Sequence, residues 1–313
     1  MQGPSLRAMR ILMSGSSGLI GTALSHALEG GSHSVVRLVR GPSRDGSSVS
    51  WDPERGTIDR MGLEGFDAVV HLAGEPLLGR WTAAKKRRIR DSRVLGTKLL
   101  AEALATLKRR PGVLVCASAA GYYGDRGAEI LTEESAAGRG FLAEVCREWE
   151  SAAAPARAAG IRVVNIRTGL VLSRVGGLLK IMLLPFRLGF GGPIGGGKSY
   201  WSWITLDDLI AVYRFAVTRE SLAGALNAAA PHPVTNADFA RTLGVVLRRP
   251  AVLPVPPLAL RLLFGREAAD DMLSGFRLEP ARLQAAGFRF QHPELEQALR
   301  HVLGSEVLEL EDG

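Results

Sequence analysis

Three glycines spaced three apart, in Gly15-Ser-Ser-Gly18-Leu-Ile-Gly21, follow the apolar run RILMS (10–14) and open a helical stretch at 18–29. A strand must enter this segment, turn within a few residues, and leave as a helix packed close against it. The glycines permit the turn and let the backbone approach a pyrophosphate. The helix N-terminus then offers unpaired N–H groups and a positive dipole to phosphate oxygens. In this strand–turn–helix setting Gly15, Ser16, Ser17, Gly18, Leu19, Ile20 and Gly21 are the expected phosphate cradle of a dinucleotide.

The first half of the chain repeats the strand–helix theme. Apolar, β-branched runs at Ser34–Arg40, 68–73, 113–118 and 162–172 alternate with helical stretches at 82–108 and 141–159. Strands that are apolar along their length have helices on both faces, and the alternation predicts a doubly wound, mostly parallel α/β sheet. Beyond Leu172, glycine clusters (189–203) and prolines (250–257) break the rhythm. Residues 9–175 are therefore expected to form the sheet domain and 176–304 a smaller α/β lobe on the substrate side. Helices are predicted there at 206–217, 235–247, 258–264 and 293–303, with 304–313 fraying.

The end of the second strand sorts dinucleotides, because an acid there holds a ribose 2′-hydroxyl and a base accommodates a 2′-phosphate. Here the strand ends in Val39-Arg40, followed by Pro42-Ser43-Arg44, with no acid until Asp45. A guanidinium can bind a phosphate through two hydrogen bonds, so the expected cofactor is NADP(H) rather than NAD(H).

Composition narrows the partners. With 46% apolar and 22% charged residues the chain is globular in type. Its apolar runs, such as 178–184 with Lys180 inside, are too short to span a bilayer, and no secretory leader is read at the N-terminus. Two cysteines, Cys116 and Cys146, make neither a disulfide framework nor a metal site, so a cytoplasmic protein without a metal is expected. The net charge of +8 raises nucleic-acid binding. Yet all but six of the 39 basic residues are arginines scattered along the chain, and the dense run KKRRIRDSR (85–93) reads as a solvated helix face.

The segments SGSSGLIG, HLAGEPL, SRVLGTKLLAEAL, SAAGYYG, WESAAAPARAAGIRVVNIRTGLVL, LPFRLGFGGPIGGGKSYWSWITLDDL and LNAAAPHPVTNADFARTL span most of the chain. Together they resemble the sugar-nucleotide-epimerase-like group of extended and atypical short-chain dehydrogenase/reductases. The best match is the branch of epimerase family proteins ending in a small domain of unknown function, here 248–297. The resemblance implies a Rossmann-type fold. It also implies a turn at Leu72-Ala73-Gly74 whose backbone passes the adenosine ribose, an Arg93 that reaches the cofactor, and a Val171 beside its nicotinamide end.

The same resemblance raises a difficulty. Working members of that superfamily use a serine and a Tyr-x-x-x-Lys pair, whose lysine lowers the tyrosine pKa from about 10 toward working pH. The four tyrosines, 122, 123, 200 and 213, are followed four places on by Arg126, Gly127, Ile204 and Val217, so the pair is absent from the sequence. Phe141 and Val145 fall where the tyrosine and lysine belong, and the serine matches Ser118 or its neighbour Ala119. Ser118, Tyr122 and Tyr123 are then the candidate catalytic residues, walling a nicotinamide pocket with Phe141. Arg126 is the candidate cation beside the tyrosines, and Glu75 and Glu133 are alternative acids. Lys198, Trp201 and Trp203 are expected near the cleft mouth, and Asp207 and Asp208 as caps of the helix that follows. Two functions remain open: an NADP(H)-dependent oxidoreductase- or epimerase-like protein acting on an unidentified small molecule, and a non-catalytic NADP(H) sensor or scaffold.

Overall fold

The computed structural model describes residues 8–41 and 47–309, so the expectations at 1–7, at Pro42-Ser43-Arg44-Asp45 and at 310–313 lie outside the described residues. The chain begins β1 (Arg10–Ser14), α1 (Leu19–Glu29), β2 (Ser34–Arg40), β3 (Ser48–Asp52), β4 (Thr57–Ile58), β5 (Ala68–His71), α2 (Ala83–Ala105) and β6 (Val113–Ala119). A 3₁₀ turn (Ala120–Tyr123) leads to β7 (Ile130–Leu131), α3 (Phe141–Ser151), α4 (Ala154–Ala158), β8 (Arg162–Thr168) and β9 (Leu170–Leu172).

The second half holds α5 (Gly177–Arg187), β10 (Tyr200–Trp201), β11 (Trp203–Thr205), α6 (Leu206–Thr218), β12 (Gly224–Ala228), β13 (Val234–Thr235) and α7 (Asn236–Leu247). It ends with α8 (Pro257–Phe264), α9 (Arg266–Leu273), β14 (Arg277–Leu278), α10 (Ala281–Ala285) and α11 (Leu295–Glu309). No helix among the described residues is long and apolar enough to cross a membrane.

The main sheet has the order β12-β8-β6-β5-β1-β2-β3-β4 and is parallel except for β4. One face packs on α1 and α6 through residues such as Leu24, Leu28, Leu209 and Tyr213. The other packs on α2 and α4 through Leu100, Leu104 and Ala156, which is the two-sided cover that the apolar strands demand. The sheet takes its last strand, β12, from beyond residue 175, so the expected domain boundary runs through it. A third cluster, centred on α5, α7 and α11, forms the core of the second lobe.

Two long elements are broken where the chemistry of a single residue requires it. The run 162–172 leaves the main sheet at Gly169, where a side chain would meet the Ser202 carbonyl at 2.5 Å, and continues as β9 paired with β11. The stretch 141–159 divides into α3 and α4 at Pro155, which has no N–H to continue the first helix.

From β1 the strands progress outward in one direction through β2 and β3, then in the other through β5, β6, β8 and β12. This reversal opens a crevice at the carboxyl ends of β1 and β5. Ser14 and His71, the last residues of these strands, close its floor. The Leu72 and Ala73 amides donate to Ser14 Oγ at 3.2 and 3.3 Å, leaving its proton for His71 Nδ1 at 2.6 Å. The ring's own hydrogen then lies on Nε2, and the ring stands edge-to-face with Trp51, centroids 5.8 Å apart. Burial lowers the His71 pKa to about 4, so the imidazole stays neutral.

The turn above this floor has no room to spare. A side chain at Gly15 would come within 2.7 Å of the Leu72 carbonyl carbon, and one at Gly21 would run into the Gly15 carbonyl. Gly21→Ala is therefore expected to lower stability by about 1–3 kcal/mol through overpacking against backbone. A reduced urea midpoint with unchanged slope checks this.

Candidate functional site

The glycine loop approaches three segments distant in sequence. Gly15, at φ +69°, lies against the Leu72–Ala73 backbone, and the Leu19 side chain packs on Gly176, 3.2 Å from where a β-carbon would stand. Gly177 in turn neighbours the Val171 carbonyl. Gly18 heads α1 with no side-chain cap, and a β-carbon there would meet only the Gly15 oxygen, at 3.4 Å. Space over the helix start and uncapped first-turn N–H groups are what a pyrophosphate requires. Ser17 is exposed and Ser16, Leu19 and Ile20 are half-buried, as befits a loop that lines a crevice.

The other expected cofactor residues lie on neighbouring elements, β2 and α2. Val39 is half-buried and Arg40 exposed at the carboxyl end of β2. Arg93 lies beneath Gly74, where a β-carbon would stand 3.2 Å from its Cζ. Its Nη1 donates to the Glu75 and Ile89 carbonyls at 2.9 and 3.1 Å, and burial lowers its pKa. Arg93 thus supports the turn from below. Glu75 is taken by Lys85 at 2.8 Å and Arg88 at 3.4 Å, which hold its carboxyl below the usual range.

Beyond the crevice lies a cleft of about 580 Å³. The ends of β6 and β8 supply Ala119, Ala120, Gly121, Thr168 and Gly169. The loop after β5 supplies Pro76, Leu77 and Trp81. Leu142 of α3 and Leu178 and Ile181 of α5 continue the wall, and Trp201, Phe264, Ala268, Asp271 and Met272 close it from the second lobe. The wall is overwhelmingly apolar, and among the described residues Asp271 is its single charged side chain.

Ser118, Tyr122 and Tyr123 do not line this cleft. The expectation of a pocket walled by the tyrosine pair and Phe141 is corrected: Ala119, Ala120, Gly121 and Leu142 hold those places. Tyr123 is fully buried, with its hydroxyl donating to Asn227 Oδ1 at 2.7 Å and accepting from Arg167 Nη1 at 2.9 Å. Burial pushes its pKa up to about 12. The Ser118 hydroxyl donates to Glu150 at 2.7 Å. Glu150 is paired at both oxygens with Arg167, through Nε and Nη2 at 2.9 Å each. The Arg167 Cζ also lies 3.4 Å from the Tyr122 ring centroid.

The cation beside the tyrosines is therefore Arg167 of β8. Arg126 instead pairs with Glu129 at 2.8 and 2.6 Å. Burial opposes the Arg167 charge, but hydrogen bonds and charge from Glu150 outweigh it and raise its pKa. Glu133 belongs to the same region. Its carboxylate accepts the Asn227 amide at 2.9 Å, and burial raises its pKa.

Phe141 stacks edge-on with Trp81 at 5.5 Å and Val145 is buried, neither offering a proton. Lys198 is exposed and away from the cleft wall, Trp201 lines it, and Trp203 is core. The cap of α6 is Thr205, whose Oγ accepts the Asp208 amide at 3.1 Å. Asp208 instead receives the Gln291 and His292 amides at 2.8 and 3.0 Å, which corrects its expected role. Asp207, His292 and His301 bring three possible ligand atoms within 4.8 Å of one another on the surface, outside the cleft.

A glycine loop at the switch point of a doubly wound sheet, opening toward an apolar cleft, defines a Rossmann-type α/β protein. Residues 11–229 match the NAD dependent epimerase/dehydratase family and 255–302 match a domain of unknown function, DUF1731. The chain belongs to the NAD dependent epimerase/dehydratase family.

It is 41% identical over 290 residues to "Epimerase family protein Mb2239" of Mycobacterium bovis, covering 92% of this chain and 96% of that protein. Human "Epimerase family protein SDR39U1" is 37% identical over 303 residues, with coverage of 94% and 100%. A crystal structure of that human protein (isoform 2) with NADPH superposes with a TM-score of 0.88 at 36% identity, covering 95% and 99% of the two chains. UDP-N-acetylglucosamine 4-epimerase from Bacillus cereus shares the fold alone, at 16% identity, a TM-score of 0.72 and coverage of 98% and 100%.

The buried pair yields an ordered set of stabilities. Glu150→Ala strands the Arg167 charge and is expected to cost about 3–5 kcal/mol. Tyr123→Phe removes one hydroxyl from the same network and costs about 1–3 kcal/mol. Guanidinium unfolding of the two variants checks the order.

Proposed function

We propose that this protein binds NADP(H) across the crevice and works on a small, largely apolar molecule held in the adjoining cleft. The observation that carries this reading is the continuity of the two spaces, since Leu19 of the loop touches Gly176 beside the cleft-lining Gly177. The crevice residues fit the cofactor. Gly15 to Gly21 leave room and N–H groups for the pyrophosphate, Leu72, Ala73 and Gly74 form the turn beside a ribose, and Arg40 meets a 2′-phosphate. Arg93 holds that turn, and Val171 lies toward the nicotinamide end. The human relative crystallised with NADPH supports the choice of NADP(H). When bound, the cofactor supplies or accepts a hydride.

The chain's own contribution is an apolar chamber that excludes water. Its proton chemistry does not run through a lysine-activated tyrosine, because Phe141 and Val145 stand in those places and Tyr123 is committed to Arg167 and Asn227. A non-catalytic sensor is the second reading, favoured by the same commitment of Ser118 and Tyr123 to structural bonds. In both readings the α8–α9 wall makes the second lobe part of the cleft.

Calorimetry is expected to show NADPH bound about ten- to a hundredfold more tightly than NADH, the worth of one charged phosphate hydrogen bond. Arg40→Asp removes the preference, and equal affinities in the wild type contradict the assignment. Gly18→Val fills the one glycine of the loop that has space for a side chain and is expected to abolish NADPH binding with little loss of thermal stability.

Steady-state NADPH oxidation separates the two functions. Turnover with any small carbonyl or imine panel member, retained in Tyr122→Phe, supports the enzyme. Its absence across the panel, with intact NADPH binding, supports the sensor.

A further inference from the structure

The cleft contains a charge that the fold leaves unanswered. On α9, Asp270 faces Arg261, with two hydrogen bonds at 2.9 and 2.8 Å, and Arg266 at 3.7 Å. Asp271, the next residue, instead lines the cleft beside Phe264, Ala268 and Met272. Its carboxylate has no hydrogen bond or ion pair among the described residues, and burial alone raises its pKa to about 6.

Titratable and charged groups on the surrounding elements do not relieve it. Cys146 of α3 is a thiol whose pKa burial pushes up to about 12. Tyr200 of β10 is a phenol, and Lys86 of α2 is engaged with Glu267 at 2.7 Å. Arg80 packs against Gly265 outside the cleft-lining set. A half-buried carboxylate without a partner costs stability, and its place in an apolar cleft makes it a candidate partner for a ligand group.

Two further features say what kind of group. Trp81, Tyr200, Trp201, Phe264 and Phe276 also line the cleft, and aromatic faces attract cations. Among the described residues no lysine, arginine or histidine lines it, so a sugar nucleotide's diphosphate would find a carboxylate and no counter-charge there. We propose that the cleft binds a small, mostly apolar molecule carrying one protonated nitrogen, with the Asp271 carboxylate as its counter-ion. This rests on the cleft being the substrate end of the NADP(H) site.

The test uses the full-length protein and three probes of one shape, 2-phenylethylamine, 2-phenylethanol and phenylacetate, titrated calorimetrically with and without NADPH. The amine is expected to bind about tenfold or more tightly than the alcohol, in line with a charge-assisted contact, and phenylacetate least. In Asp271→Asn the amine's advantage falls to about threefold or less while NADPH affinity is unchanged.

Folding of the variant is read from its thermal midpoint. The Asp271 carboxyl has a folded pKa raised above its unfolded value, so its destabilising charge is fully present above about pH 6 and gone below about pH 4. Asp271→Asn should therefore melt higher than wild type at pH 7.5 and equally at pH 4. If it does not fold, Asp271→Ser serves in its place.

Equal binding of amine and alcohol, tightest binding of phenylacetate, an amine preference that survives the substitution, or no amine binding at millimolar concentration overturns the proposal. Loss of NADPH binding by the wild type overturns the cofactor reading instead, and the amine ranking is still read without cofactor.

Discussion

An arginine cannot shed its proton, so a guanidinium buried under a sheet end must be fully matched. Arg167 meets that demand with a two-pronged pair to Glu150, a hydrogen bond to the Tyr123 hydroxyl and a face-on contact with Tyr122. Each partner is fixed in turn. Glu150 positions α3 and receives Ser118 of β6, while Tyr123 reaches across to Asn227 of β12. Asn227 Nδ2 then donates to the Leu131 and Glu279 carbonyls at 3.1 and 2.9 Å. One buried charge thus organises the ends of three strands and the turn between them.

That organisation explains why the cleft is apolar. The serine and tyrosine hydroxyls at the end of β6 are drawn behind the wall to satisfy Arg167 and Glu150, leaving small or apolar faces at Ala119, Ala120, Gly121 and Leu142. Asp271 then enters from the second lobe as the only charge that the described residues bring to the cleft. On the other side of the sheet's switch point, the neutral Ser14–His71 pair and the tight Gly15 and Gly21 contacts fix the loop without occupying the space over Gly18. Stability is invested in the frame, and the two spaces it encloses stay open.

The doubly wound sheet was readable because its signals are local: apolar strands, helical spacing, and glycines at a strand–helix junction. The glycine loop does meet the Leu72–Ala73 backbone, and Arg40 ends the neighbouring strand β2. The breaks at Gly169 and Pro155 were visible as residues but not as breaks, since the close approach of the Ser202 carbonyl at Gly169 is set by tertiary packing. Tyr122, Tyr123 and Arg126 looked like a site because they are near in sequence, whereas the actual cation, Arg167, comes from another strand. An arginine inside the apolar run RVVNIRTGLVL was the available signal. Asp271 gave none, because nothing in REAADDML sets one acid apart from the others until α9 is seen against the cleft.

The Ser118 and Tyr123 hydroxyls are thus held in structural bonds, and the cleft beside them is the proposed working space. A crystal structure of this protein with NADPH bound tests it most directly. The nicotinamide is expected in the cleft near Ala119, Gly121 and Gly169, with the Tyr123 hydroxyl still held by Arg167 and Asn227 as now. A nicotinamide lying outside the cleft, or a Tyr123 hydroxyl released from those partners to meet it, would contradict the account.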